Sequence, residues 1–234
     1  MTAATASSAA SSRIPLAYVV ALVPVAAALN IVGGTINTAL RLPTFLDMIG
    51  TAVVAILLGP WWGALVGVIG NVGGAFFTGP VGIPFALVNV AGALVWGYGV
   101  RSLGMAASAT RFFLLNIVVA LVTSAIAAPI VVLAFGGATG HTSDALTAAF
   151  ATAGQNLLAA TLASSVIVSL ADKIISGFLA LAIIDALPPD LSRGLRLPGP
   201  TSSGRLAIAI VGAVIGAAIV IVYQWFIATA PTPA

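Results

Sequence analysis

A helix that crosses a bilayer needs about 20 largely apolar residues, and this chain offers such runs one after another between Ile14 and Ala228. Only 6% of its residues are charged, against about 25% in a typical soluble domain. Such a composition cannot clothe a water-facing surface, so a soluble enzyme is excluded. The eight Lys or Arg and five Asp or Glu positions leave a net charge of +3. In a chain this apolar, that excess reflects arginines at a membrane surface rather than nucleic-acid binding. The absence of cysteine removes disulfides, thiolate metal sites and thiol chemistry. One histidine and no glutamate leave almost nothing for a zinc site or a His-dependent triad. The expected fold is all-α, a polytopic membrane helix bundle, with no cofactor or metal expected.

Turn residues divide the apolar runs. Residues 1–13 read as a disordered tail. The expected spans are Ile14–Ala39, Thr44–Leu58, Trp61–Phe77, Val81–Val100, Phe112–Phe135 with a kink at Pro129, about 160–187, and Leu206–Ala228. Arg41-Leu42-Pro43, Gly59-Pro60, Thr78-Gly79-Pro80 and Pro188-Pro189 separate several of them. From Asp144 to Leu187 a continuous helix would be roughly 66 Å long, twice the hydrocarbon thickness, so it must break near Gly154. Residues 144–158 then form a short external or re-entrant helix. The first six spans, residues 14–187, make one substrate-binding unit, and 188–234 add a loop and a seventh helix. With the N-terminus inside, Arg13, Arg101, Arg111, Arg193, Arg196 and Arg205 are cytoplasmic and only Arg41 is external, as the positive-inside rule requires.

Polar residues at membrane depth are the candidate site. An ionised side chain near the bilayer centre is costly and usually faces a cavity or a partner. Ser165, Ser169, Asp172 and Ser176 share one helical face, bordered by Lys173. They form either a polar wall of a substrate site or, through pairing of the two charges with other helices, a lock on the bundle. Asn30, Asn37 and Arg41 make the outward end of the first span progressively polar. Asp47, three residues after Thr44, has capping-box spacing and lies near Arg41, so it either caps a helix or pairs with that arginine. Asn71 and Asn89 bring one amide each from the third and fourth spans, and Asn116 is a weaker candidate. Gln155 and Asn156 sit at the proposed break, placed to overhang an external mouth. Gly63, Gly67, Gly70 and Gly74 form a stripe that favours close helix packing. His141, in an external loop, is assigned no role.

Residues 29–89 resemble the membrane-embedded substrate-binding subunits, the S components, of energy-coupling-factor (ECF) vitamin transporters. The resemblance rests on Asn37 with Leu42-Pro43, on Phe45-Leu46-Asp47 followed by Ile49-Gly50-Thr51, on Leu58-Gly59-Pro60, and on the glycine-rich third span. It extends more loosely over 14–187, including Asp172-Lys173. It implies a six-helix core with both ends cytoplasmic and a binding subunit without catalysis. Such a subunit captures a water-soluble vitamin or related metabolite and docks on a scaffold membrane protein bearing two ATPase subunits. The family's AxxxA docking motif is matched by Ala17 and Ala21. The chain has no GxxxxGK[ST] loop, so ATP hydrolysis would come from partners. The seventh span departs from the family. Two other readings fit the residues: a stand-alone secondary transporter using Asp47 or Asp172, and a membrane-embedded ligand sensor.

Overall fold

The computed structural model describes residues 15–199 and 202–229; Arg13 and the tail before it lie outside them. The described residues form helices joined by turns: α1 (Leu16–Leu40), α2 (Ile49–Leu57), α3 (Pro60–Thr78), a 3-10 turn (Pro80–Phe85), α4 (Ala86–Arg101), α5 (Ala109–Phe135), α6 (Ser143–Thr152), α7 (Leu157–Ala186), a second 3-10 turn (Pro189–Ser192) and α8 (Ser202–Thr229). Among the described residues, six helical segments are long and apolar enough to cross a membrane: α1, α3, α4 with its preceding 3-10 turn, α5, α7 and α8. The chain is a multi-pass helical membrane protein.

The expected count of seven spans is therefore corrected. The segment Thr44–Leu58 contains only nine helical residues, about 13.5 Å at 1.5 Å per residue, less than half the hydrocarbon thickness. The C-terminal helix is the sixth of the long apolar helices, while residues 44–58 still return from the Arg41 end of α1 to the Arg101 end of α4, partly as non-helical chain. Local chemistry explains the shortening. Pro43 has no N–H and biases Leu42 away from the helical region. Leu46 takes a φ of 55°, a left-handed conformation uncommon for a non-glycine residue. The capping box expected at Thr44–Asp47 does not form, because α2 starts only after Met48 and has no side-chain cap.

The non-helical segment and α2 together run back along α1. Thr44 bonds to Asn37, the Leu46 carbonyl fills the space where Gly33 would carry a Cβ, and Gly50 lies on the Ala26 carbonyl. All nine residues of α2 are buried, among α1, α3, α4 and α7. That accounts for its sequence, apolar on every side apart from the hydrogen-bonded Thr51, since a helix hydrophobic all round is a core helix. Arg101 closes the far end, its Nη1 donating to the carbonyls of Ile56 (3.2 Å) and Leu57 (2.9 Å).

α7 is the central long helix, with 67% of its apolar window buried, whereas the corresponding figure for α8 is 17%. α8 packs on α7, with Gly212 against the Phe178 ring and Gly216 against Ile175 and the Ala171 carbonyl. The glycine stripe of α3 works in the same way, Gly63 meeting Ala55, Gly67 meeting Asn89 and Gly70 meeting Asn30. Small residues let the backbones approach, and here they let two asparagines reach the interior. The break expected at Gly154 is present, with φ 96°. The following helix starts at Leu157 rather than at about 160, because the Asn156 side chain caps it by accepting from Ala159 N–H at 2.9 Å.

Candidate functional site

The polar stripe of α7 faces the interior: Ser165, Ser169, Asp172, Lys173 and Ser176 are all buried. Asp172 Oδ1 accepts the backbone N–H groups of Phe45 (2.9 Å) and Leu46 (2.8 Å). Its Oδ2 accepts from Lys173 Nζ in a buried ion pair. Bonds to an ionised acceptor are stronger than neutral ones, so this carboxylate clamps a segment 126 positions away in sequence. Lys173 Nζ also lies 5.6 Å from the Phe45 ring centroid, within cation–π range.

A chain of amides holds the next part of the segment. Asn30 Oδ1 accepts from Gly50 N–H at 2.8 Å, and its Nδ2 donates to Thr51 Oγ1 at 2.8 Å. Thr51 Oγ1 donates to Asn89 Oδ1 (3.1 Å), and Asn89 Nδ2 donates to Asp47 Oδ2 (3.0 Å). Asn37 Oδ1 accepts from Thr44 Oγ1 at 3.1 Å. Asn30, Asn37, Asn89 and Asp172 are buried, while Asp47 is only partly so. Thus α1, α4 and α7 each send polar side chains to residues 44–51. The structure brings together six sequence candidates: Asn30, Asn37, Asp47, Asn89, Asp172 and Lys173. They meet around a piece of chain, which several of them bond directly.

His141, assigned no role from sequence, belongs to this cluster. Its ring stacks on Phe45 with centroids 4.7 Å apart, and its Nε2 lies 2.9 Å from the Thr44 carbonyl. Because Ser143 N–H donates to Nδ1 (3.1 Å), the neutral ring must carry its proton on Nε2 and give it to Thr44. Burial of the ring lowers the His141 pKa from its ordinary value, and the bond to Thr44 opposes that shift. Thr142 adds a bond to the Leu42 carbonyl. Phe45 also packs with Leu146 and Val168 of α6 and α7. Nothing local in the sequence around His141 signals this role, because its partner Thr44 is 97 positions away.

Other candidates lie apart. Arg41 is exposed and caps α1 with φ 49°; among the described residues no salt bridge joins it to Asp47. Asn71 donates to Gly67 of its own helix. Gln155 and Asn156 are exposed, and Asn156 serves as the helix cap described above. Asn116 is buried and accepts from Trp96 Nε1 at 2.8 Å. Ala17 and Ala21 lie on an exposed face of α1 with Leu16 and Val20.

No family model, no curated protein and no solved structure matches this chain. The likeness to S components therefore rests on the residues quoted for it.

Proposed function

We propose that the chain is the substrate-capture subunit, or S component, of an ECF-type ATP-driven importer. In this reading it lies in the cell membrane with its N-terminus cytoplasmic and binds a water-soluble vitamin or related small metabolite. The observation that carries the reading is the convergence of Asn30, Asn37, Asn89, Asp172 and Lys173 on one internal segment that itself carries Asp47. Polar and ionised groups kept inside a bilayer are costly and by default mark a ligand or ion pathway. Residues 44–51 then act as one wall of the binding place, held in shape by α1, α4 and α7. Asp47, partly exposed, is the side chain placed to meet the ligand. Lys173 and the two carboxylates supply both signs of charge, which suits a polar neutral or zwitterionic molecule.

The exposed face bearing Ala17 and Ala21 would dock on the scaffold subunit, where small residues permit close helix contact. Two ATPase subunits would supply ATP hydrolysis. Arg101, Arg111 and Arg196 at one end of the bundle support a cytoplasmic placement of that end. The test is affinity purification of the tagged chain from its native membrane. Copurification of one scaffold protein and two ATPases, with ATP-dependent uptake of one small molecule, is expected. The chain alone carrying out ion-gradient-driven uptake would replace this reading with that of a secondary transporter, for which the buried Asp172–Lys173 pair is the specific argument.

A further inference from the structure

At the end of the bundle where α4 stops and α5 begins, Arg101, Arg111 and Arg196 line one open cleft of about 360 Å³, together with Ser102, Leu103 and Gly104. All three arginines are exposed. The chain has five acidic side chains, and every one is engaged elsewhere. Asp172 pairs with Lys173, Asp185 with Arg205 and Asp190 with Arg193. Asp144 accepts the N–H groups of Thr139 and Gly140, and Asp47 accepts from Asn89. Among the described residues no carboxylate lines the cleft, so the three guanidiniums share it with no acidic side chain beside them. A recess lined by one sign of charge concentrates ions of the other.

The arginines are also oriented. Arg101 Nη1 is fixed by the Ile56 and Leu57 carbonyls, which leaves Nε and Nη2 of its planar fork for another acceptor. Arg111 lies in the first turn of α5, at the positive end of a 27-residue helix, where an anion is further favoured. Leu103, 69% exposed, stands on the same rim. The cleft lies where membrane-crossing helices end, the level at which lipid headgroups sit.

The geometry points to a binding site for the phosphate of an anionic phospholipid, its phosphodiester on Arg101, Arg111 and Arg196 and its apolar part beside Leu103. This does not depend on the transport reading. The test uses the full chain in detergent, with retention of phosphatidylglycerol and of phosphatidylcholine measured by native mass spectrometry. Arg111→Gln with Arg196→Gln is the main variant, because Arg101 also holds the end of α2. At low salt each arginine near the headgroup is worth about fivefold, so the pair should weaken phosphatidylglycerol binding by about 25-fold. The single variants, each expected to lose about fivefold, keep the test decisive if the pair lowers yield. Arg41→Gln, at the other end of α1, should change nothing. Equal retention of phosphatidylglycerol by wild type and double variant would overturn the site, as would equal retention of the two lipids by wild type. Stabilisation of wild type by inorganic phosphate, with no preference for phosphatidylglycerol, would overturn the lipid assignment in favour of a soluble phosphate.

Discussion

Replacing Asp172 by Asn tests the clamp on residues 44–51. The amide oxygen of Asn can still accept the Phe45 and Leu46 N–H groups that now bond Oδ1, but without the charge that strengthens them. Lys173, 2% exposed, is left without its counter-ion. Breaking a buried ion pair from one side costs about 3–5 kcal/mol, so a total loss of about 4 kcal/mol is expected, most of it from the stranded ammonium. Asp172→Asn with Lys173→Met removes the unpaired charge and should recover most of that loss, leaving a deficit of about 1–2 kcal/mol from the weakened N–H bonds. Unfolding in detergent of wild type, Asp172→Asn, Lys173→Met and the double variant completes the double-mutant cycle. Because the protein contains no cysteine, Phe45→Cys gives a clean second readout, and maleimide should label it faster in the Asp172→Asn background. A loss below about 1 kcal/mol for Asp172→Asn, or a double variant no more stable than the single, would refute the clamp.

Three further outcomes follow from the same cluster. Asn30→Leu leaves the Gly50 and Thr51 N–H groups without their acceptor and should cost about 2–3 kcal/mol in unfolding measurements, since each buried group left unsatisfied costs about 1–3 kcal/mol. Gly33→Ala places a methyl on the Leu46 carbonyl; it should destabilise by about 1–3 kcal/mol through overpacking and raise labelling of Phe45→Cys. Burial lowers the His141 pKa in the folded protein, so the unfolded chain takes up the proton first as pH falls. Stability should therefore be level above about pH 6.5, decline below it towards the folded pKa, and level off again, with a slope of at most about 1.4 kcal/mol per pH unit. Melting across that range should lose this slope in His141→Gln; an unchanged slope would show that His141 is not the group whose protonation weakens the fold.

Much of the architecture was legible because the bilayer imposes strong rules. Apolar runs and the Gly-Pro turns placed the long helices, and the length limit on a crossing helix forced the break at Gly154. The buried face of α7 followed from the spacing of Ser165, Ser169, Asp172 and Ser176, and the packing glycines of α3 from theirs. The second segment was misjudged for a physical reason. A short helix buried on all sides and a membrane span have the same hydropathy, and here the left-handed Leu46 and the backbone bonds of Phe45 and Leu46 to Asp172 distinguish them. Asp47 had the spacing of a cap but lies before the helix begins, bonded to Asn89 across 42 positions. His141 was missed because long-range contacts alone define its role. Arg41 was chosen by helical spacing from Asn37, Asn71 by depth, and Gln155 and Asn156 by their place at the break, none of which reveals which way a side chain faces.

The central claim is that a small polar molecule is held where residues 44–51 meet α1, α4 and α7. Mass spectrometry of the small molecules extracted with purified wild type and with Asp47→Ala tests it most directly. Asp47 is partly exposed and accepts one bond from the buried Asn89, so the variant should lose about 1–3 kcal/mol of stability, and retention is compared on protein that melting shows to be folded. The account predicts one vitamin-like compound retained by wild type and lost from Asp47→Ala. The same compound retained equally by both proteins, or no compound bound by wild type when offered water-soluble vitamins, would contradict it.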